Sequence, residues 1–414
     1  MEFFSRYKKI FLAIGFLAAV ILIGWLIWRT FFSPTPTEPA PVVTGTTTAS
    51  GLPTAGPGGE VSGEINGPGG LPAGSNVTGA PDPNKPSEIA LGGLTKTEAI
   101  TKSPTLDPTL SKTGGVQYYN KDDGRFYTLD KNGQAVLMSD KVFYDVQNVV
   151  WAPDKGKAVI EYPDGKKILY NFSDKSQVTL PTHWEDFSFS PSSGQLISKS
   201  LGLNPENRWL TVSNDDGSKA INIENIGTND QTVYPSWSPN GQIVAMYTKG
   251  VDFNRQEVFF VGLNDENFKS TIVEGRGFQS QWSTTGDRLL YSVYNTDTNL
   301  NPKLWIVDAS GNNISQNRKG IDLNTWASKC TFASNTEVYC AVPDSLDKGA
   351  GLFPELADKT KDSLYKINLT TGTKELVAVP DGAYNISQIM VPSDTKTLYF
   401  TDKQTNQIYK VNLP

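Results

Sequence analysis

Apolar and polar residues alternate with a period of two in short runs along most of the chain after residue 93. In the clearest example, 233–248, an alternating run is followed by the turn residues Pro239, Asn240 and Gly241 and then by a second alternating run. Alternation with this period is typical of a half-buried strand, and a Pro-Asn-Gly sequence favours a tight turn. The segment is therefore predicted to form a β-hairpin.

The hairpin pattern repeats along the chain. The large apolar residue at Trp237 recurs at intervals of about 38 to 58 residues. Its counterparts are Trp151, Phe189, Trp282, Phe332 and, more weakly, Met390. A second apolar signature, such as Val258-Phe-Phe-Val261, occurs seven times, and a four-stranded unit repeated every roughly 40 to 50 residues is typical of a β-propeller blade. The sequence therefore predicts an all-β fold in which 93–414 form a seven-bladed β-propeller, with six or eight blades as the alternatives.

One strand-like segment, Lys96–Lys102, belongs to no repeat and precedes the first blade, whereas the last blade has only three strands of its own. A ring of sheets that is not closed exposes an open strand edge. We therefore expect Lys96–Lys102 to supply the missing strand by pairing with Ile408–Asn412.

The N-terminal segment has the pattern of a membrane anchor. Basic residues within 1–9 precede an uncharged apolar run from Ile10 to Trp28. As a helix, at about 1.5 Å per residue, this run reaches about 30 Å, the thickness of the hydrocarbon layer. A transmembrane helix over 10–30 is favoured over a cleaved signal peptide, whose apolar core is usually shorter. Because most of the flanking Lys and Arg residues precede the run, residues 1–9 are predicted to be cytoplasmic and everything after Arg29 extracytoplasmic.

Residues 31–92 are rich in Pro, Gly, Thr, Ser and Ala and contain few large apolar side chains. Such a segment cannot bury enough apolar surface to offset its chain entropy. It is predicted to be a disordered stalk, roughly 45 Å in root-mean-square length, that holds the propeller away from the membrane.

Composition and motifs disfavour several classes of function. The net charge is −6 and no basic stripe occurs outside the N-terminus, which argues against a nucleic-acid partner. The single histidine, His183, cannot form a His-pair metal site and is interpreted as a loop residue, and no Gly-x-Ser-x-Gly motif occurs. Acidic segments at 120–124 and 214–217 lack the spacing of a calcium loop and are interpreted as hairpin turns. We therefore expect no cofactor and no metal.

Several hairpins carry variants of one turn motif. The closest are Ser238-Pro-Asn-Gly-Gln242, Ala152-Pro-Asp-Lys-Gly156 and Ser190-Pro-Ser-Ser-Gly194, and the copies at Trp282, Phe332 and Val391 are degraded. The motif resembles the WD40-like periplasmic repeats of the TolB propeller and of many envelope proteins, whose core reads Ser-Pro-Asp-Gly-Lys before an apolar strand. The resemblance covers about 320 residues and implies a propeller used for binding or scaffolding. It implies no peptidase activity, because no α/β-hydrolase domain accompanies the blades.

The two cysteines, Cys330 and Cys340, flank a turn symmetrically and are expected to face each other on adjacent strands. Outside the cytoplasm a cross-strand disulfide is one interpretation, and two buried free thiols are the other. The sequence alone leaves both open.

In a blade of four antiparallel strands, the connections from the second to the third strand and from the fourth strand into the next blade lie on one face. Here these connections are the long ones, above all the insertion from Pro343 to Asp362. Function tends to lie on elaborated loops held by a rigid scaffold, whereas packing between blades is the alternative role for aromatic side chains. The candidate ligand or partner face comprises Tyr144, Trp184, Tyr234, Phe253, Arg255, Phe278, Trp326, Phe353 and Tyr384.

These features predict a single-pass cell-membrane protein whose extracytoplasmic propeller is a binding or scaffold module for an envelope protein or a cell-wall polymer. The alternative is a hydrolase or lyase with an unrecognised active site on the propeller face. A cluster of carboxylates in the channel would favour the enzyme, and an aromatic, Asn-lined mouth would favour binding.

Overall fold

The computed structural model describes residues 20–23, 25, 26, 85–130 and 133–414. Contacts divide the chain into two units, residues 1–76 and 77–414, and the fold given below is that of the second. Among the described residues, no helix combines the length and the apolar character needed to cross a membrane. The predicted cytoplasmic segment, most of the predicted span over 10–30 and most of the stalk over 31–92 lie outside the described residues.

The strands of the second unit form seven sheets over the described residues, six with four strands and one with five. This confirms the predicted all-β, seven-bladed propeller. Two short strands come first, β1 (Leu94–Thr95) and β2 (Glu98–Ala99). Blade 1 consists of β3 (Thr105–Leu110), β4 (Val116–Asn120), β5 (Arg125–Leu129) and β6 (Ala135–Leu137). Blade 2 consists of β7 (Asn148–Trp151), β8 (Lys157–Glu161), β9 (Lys167–Asn171) and β10 (Gln177–Leu180). Blade 3 consists of β11 (Trp184–Phe189), β12 (Gln195–Leu201), β13 (Arg208–Asn214) and β14 (Ile221–Asn225).

The remaining four blades follow the same antiparallel order. Blade 4 consists of β15 (Val233–Pro235), β16 (Ala245–Asp252), β17 (Arg255–Val261) and β18 (Thr271–Val273). Blade 5 consists of β19 (Arg276–Trp282), β20 (Arg288–Tyr294), β21 (Lys303–Asp308) and β22 (Lys319–Ile321). Blade 6 contains β23 (Cys330–Phe332), β24 (Glu337–Pro343), β25 (Asp362–Asn368) and β26 (Lys374–Pro380). Blade 7 contains β27 (Ile386–Met390), β28 (Thr397–Asp402) and β29 (Ile408–Asn412). Short 3-10 helices lie in the connections at Pro205–Asn207, Asp230–Thr232, Thr296–Thr298, Gly311–Asn313, Ala327–Lys329 and Pro354–Ala357.

The hairpin predicted at 233–248 shows how hydrogen bonds within a turn fix the first two strands of a blade. The Ser238 hydroxyl accepts a hydrogen bond from the Ile243 backbone N–H at 3.0 Å and donates to Asn240 Oδ1 at 2.6 Å. Gly241 has a φ of +76°, a conformation that favours glycine. These bonds fix the turn, and Trp237 is thereby placed in an apolar cluster with residues of blades 3 and 4.

Ring closure follows the prediction and adds one feature to it. β2 pairs antiparallel with β29, Glu98 opposite Lys410 and Ala99 opposite Tyr409, so blade 7 obtains its fourth strand from the N-terminal side of the ring. This confirms the expected pairing of the 96–102 segment. In addition, β1 pairs in parallel with β26, which makes blade 6 five-stranded. Consecutive segments of the chain therefore join blades 6 and 7.

The two cysteines lie opposite each other, Cys330 on β23 and Cys340 on β24. Both are buried, and the structure joins them in a disulfide with an S–S distance of 2.08 Å. Of the two interpretations left open by the sequence, the structure has the cross-strand disulfide.

Candidate functional site

The antiparallel order of the strands sorts the connections of the propeller onto two faces. The insertion face carries the connections from each second to third strand and from each blade to the next, including 202–207, 295–302, 322–329 and 344–361. The turn face carries the connections from each first to second and third to fourth strand, such as 190–194, 283–287 and 309–318.

The structure divides the nine predicted site residues into two groups. Trp184, Phe278 and Trp326 are buried, and Tyr384 is half-buried with its ring 5.2 Å from that of Phe400. The exposed members are Tyr144, Tyr234, Phe253, Arg255 and Phe353. The structure therefore does not expose all nine side chains on one surface.

The buried aromatic residues have packing roles. Trp184 belongs to an apolar cluster formed by blades 2 and 3, and Phe278 to one formed by blades 4 and 5. Trp326 instead packs under the insertion, in a cluster with Leu346, Ala350 and Ala357. For these three residues the structure shows the packing role that was the alternative in the sequence analysis.

The insertion 344–361 is held against the neighbouring blade 5. The backbone N–H of Gly349 donates to the Asn299 carbonyl at 2.9 Å, and that of Gly351 donates to the Leu300 carbonyl at 2.7 Å. A Cβ atom on Gly351 would lie 2.6 Å from the Leu300 carbonyl oxygen, so only glycine allows this approach. The insertion is thus a docked segment with a defined position on the ring.

The other end of the insertion rests on blade 7. The Asn385 side-chain amide donates to the Ala357 carbonyl at 2.7 Å, and Lys403 forms an ion pair with Asp358. These hydrogen bonds and this ion pair do not use the side chains of Leu352, Phe353 and Leu356, which are 41%, 52% and 44% exposed.

A buried ion pair lies beneath the insertion. Lys329 Nζ donates to both carboxylate oxygens of Asp362 at 2.9 Å and to Asn385 Oδ1 at 3.3 Å. One Asp362 oxygen also accepts a hydrogen bond from the Ile386 backbone N–H. Burial lowers the pKa of the Lys329 ammonium and raises that of the Asp362 carboxyl, against the attraction between the two charges. Removing either partner would leave an unpaired buried charge.

The insertion and the three blades beneath it enclose a pocket of about 170 Å³. Its lining residues come from all four parts: Gln279, Trp326, Ser328, Lys329, Pro354, Ala357, Asp358, Asn385, Ser387 and Lys403. The volume is close to that of about six water molecules and below the range of roughly 300 to 1,000 Å³ usual for small-molecule sites. The pocket therefore suits one side chain or one sugar unit of a larger partner.

The pocket is lined by polar, charged and apolar side chains. Its two lysines are already paired with Asp362 and Asp358, so the pocket carries little net charge. Among the described residues, no group of three or more His, Cys, Asp or Glu side chains is arranged to hold a metal ion. His183, the single histidine, is an exposed loop residue. Hydrogen bonding and apolar contact are the interactions that the pocket can offer.

Sequence reasoning did not identify the polar residues of this pocket. Lys329 and Asp362 are 33 positions apart and meet because β23 and β25 run in the same direction on either side of β24, so that both residues lie at the same end of the blade 6 sheet. One signal was present: Lys329 directly precedes a buried strand and Asp362 begins another, positions where a charged side chain requires a partner.

Solved structures of other proteins resemble the chain in fold. One is the Cps50 (Swd1) β-propeller domain of Myceliophteria thermophila, with a TM-score of 0.52, 11% identity, and coverage of 77% of this chain and 100% of that one. An oligogalacturonate lyase in complex with manganese has a TM-score of 0.49 and 12% identity, with coverage of 77% of this chain and 93% of that one. The tricorn protease has a TM-score of 0.48 and 9% identity, with coverage of 74% of this chain and 33% of that one. No protein-family model and no curated protein matches the sequence. At these identities the likeness shows the propeller fold alone.

Proposed function

We propose that the chain is a single-pass membrane protein that presents its propeller outside the cytoplasm as a binding module for an envelope protein. The docked insertion carries this proposal. It exposes Leu352, Phe353 and Leu356, and its own residues Pro354 and Ala357 line the pocket beside them. Apolar anchors around a small preformed pocket are typical of the energetic centre of a protein interface. A cell-wall polymer is the second class of partner.

The disulfide supports the proposed location. Disulfides persist in oxidising compartments and are rare in the cytosol. The Cys330–Cys340 bond is consistent with a propeller outside the cytoplasm, as is the apolar run that precedes the stalk. Fractionation of cells expressing the full chain, with protease treatment of intact and lysed cells, tests this orientation.

The binding proposal is tested by cross-linking and affinity capture of the full-length protein from intact cells. The double variant Leu352→Ser/Phe353→Ser removes apolar contact area without touching the docking bonds of the insertion. Leu203→Ser is the matched control, because Leu203 is 98% exposed on the same face in blade 3. We expect a captured envelope protein to be lost with the double variant and retained with the control.

Capture of the same partners by all three proteins would place the contacts elsewhere and contradict the proposal. Capture of a polysaccharide in place of a protein, again dependent on Leu352 and Phe353, would assign the site to the polymer class.

A further inference from the structure

The N-terminal strands of the ring lie beside the connection that joins blade 6 to blade 7. This connection, 381–385, follows β26 and ends in Asn385, which lines the pocket under the insertion. Because β1 pairs with β26 and β2 pairs with β29, the residues between them, 96–97, cross from blade 6 to blade 7 next to the connection. The segment that closes the ring is therefore also a neighbour of the pocket.

Thr97 bonds the N-terminal segment to this connection. Its backbone N–H donates to Asp381 Oδ1 at 3.1 Å, and its hydroxyl donates to the same oxygen. The Thr97 hydroxyl oxygen also lies 3.0 Å from the Tyr384 hydroxyl, which is the donor because the Thr97 proton is used for Asp381. The Asp381 backbone N–H in turn donates to the Thr95 carbonyl at 3.0 Å. These hydrogen bonds hold the connection against the segment that closes the ring.

Tyr384 is held on its other sides as well. Its ring packs against those of Phe400 and Tyr409, with centroids 5.2 Å and 4.6 Å away. A Cβ atom on Gly382 would lie 2.5 Å from the Tyr384 ring, so the connection folds tightly onto this side chain. The hydrogen bond to Thr97 therefore belongs to a side chain with one defined position.

The backbone at Tyr384 links this position to the pocket. The Tyr384 carbonyl accepts a hydrogen bond from the Asp362 backbone N–H at 2.9 Å. The next residue, Asn385, bonds both the Ala357 carbonyl of the insertion and Lys329 Nζ. Asn385 is 3% exposed, so water cannot take the place of these partners unless the site opens. A shift of Tyr384 would therefore act on the buried ion pair and on the end of the insertion together.

We propose that Thr97 and Tyr384 are positioning residues for the pocket, and that the segment which closes the ring thereby keeps the insertion in its binding position. This inference rests on the proposed function, because it concerns the regulation of the same site. Closure of the ring and occupation of the pocket then favour each other, since couplings between binding equilibria are reciprocal. Release of the N-terminal segment would loosen the insertion and weaken binding.

Hydrogen–deuterium exchange of the full-length protein without a partner, measured by mass spectrometry, tests this coupling. Thr97→Val removes the hydroxyl and keeps the shape of the side chain. We expect the amides of 354–360, which surround the contact with Asn385, to exchange about fivefold to tenfold faster, because loss of the two hydrogen bonds of the hydroxyl favours local opening. Thr97→Ser retains a hydroxyl and should restore the exchange rates of the wild type.

Two comparisons separate positioning from general stability. Thr285→Val also removes two side-chain hydrogen bonds, but on the turn face, and should leave the exchange of 354–360 unchanged. In every variant the amides of blade 3 should exchange as in the wild type. Tyr384→Phe removes the bond to Thr97 from its other side, so the exchange of Thr97→Val/Tyr384→Phe should exceed that of Thr97→Val by little.

Unchanged exchange of 354–360 in both Thr97→Val and Tyr384→Phe overturns the proposal. An equal increase in blade 3 also overturns it, because the bonds would then stabilise the ring as a whole. The exchange measurement does not depend on the capture experiment. Faster exchange of 354–360, combined with capture that does not depend on Leu352 and Phe353, would keep the positioning role and refute the proposed binding function.

Discussion

Connections of neighbouring blades are hydrogen-bonded to each other on both faces of the ring, but those of the insertion face also display exposed apolar side chains. Asn240 donates to the Gly286 carbonyl at 2.8 Å, and Thr285 donates to Asn335 Oδ1 at 2.8 Å, which links the first turns of blades 4, 5 and 6. Among the described residues, no large apolar side chain of a turn-face connection is exposed. On the insertion face Tyr144, Leu203, Phe253, Leu352, Phe353 and Leu356 are exposed.

This difference separates the tasks of the two faces. The recurring turn motif places a serine hydroxyl at the turn-face end of blades 3, 4 and 5, where Ser190, Ser238 and Ser283 each accept a hydrogen bond from a backbone N–H and stabilise the turn. The insertion face has connections of very different length, from the two-residue turn after Asp252 to the 344–361 segment. Variation on a rigid scaffold is where binding functions are usually found.

The largest effect is expected from the buried aromatic residues of the insertion face. Trp184→Ala and Trp326→Ala each remove a buried side chain and should lower the free energy of unfolding by about 3 to 5 kcal/mol. Urea denaturation measures this loss. Tyr144→Ala is the control, since its side chain is 75% exposed and its loss should cost within about 0.5 kcal/mol. Trp variants that unfold like the wild type would restore the binding role for these rings.

A somewhat smaller effect is expected from the ion pair beneath the insertion. Lys329→Met leaves Asp362 buried and unpaired and should cost about 3 kcal/mol, whereas Lys329→Met/Asp362→Leu should recover most of the loss. Lys403→Met breaks the exposed pair with Asp358 at the rim of the same pocket and should cost less than about 1 kcal/mol. Equal losses in the two single variants would show that burial of Lys329 does not matter.

The smallest loss of folding stability is expected from a substitution on the turn face, at Asp287. Partial burial acts to raise the pKa of Asp287, but hydrogen bonds from Thr285, Ser283 and Asn335 outweigh it and hold the pKa below its ordinary value of 3.8. A lowered pKa means that the ionised carboxylate stabilises the folded state. This stabilisation is complete above about pH 4 and is lost as the pH falls through the pKa of the folded state. Asp287→Asn should therefore cost about 1 kcal/mol at pH 7.

The pH dependence provides the check on Asp287. Urea midpoints of the wild type and Asp287→Asn should differ at pH 7 and converge as the pH falls below about 4. Asp297→Asn, an exposed position on the insertion face, should follow the wild type throughout. If the urea midpoints of the wild type and Asp287→Asn still differ by the same amount at low pH, the negative charge of Asp287 is not the source of the stabilisation.

The repeat made the fold predictable, because period-two alternation and Pro-Asn-Gly turns are local signals. The pairing of Glu98 and Ala99 with the last strand was also predictable, since only one segment lay outside the repeats. The parallel strand Leu94–Thr95 was not predictable, because two residues carry no period. It forms only where the edge of β26 is available.

The candidate site required the structure because it depends on distant residues. An aromatic residue before an inner strand has the same sequence pattern whether it is exposed, as Tyr144 is, or buried, as Trp326 is under the insertion.

The closure of the ring has a consequence for chain topology. The backbone N–H of Ala90 donates to the Asn412 carbonyl at 2.9 Å, so the first and last described parts of the propeller are neighbours in space. A circularly permuted chain that joins these ends by a short linker and opens within the exposed residues 218–220 would keep the ion pair between Asp215 and Lys157 that connects blades 2 and 3. The order in which the blades occur along the chain is thus separable from the ring that they form.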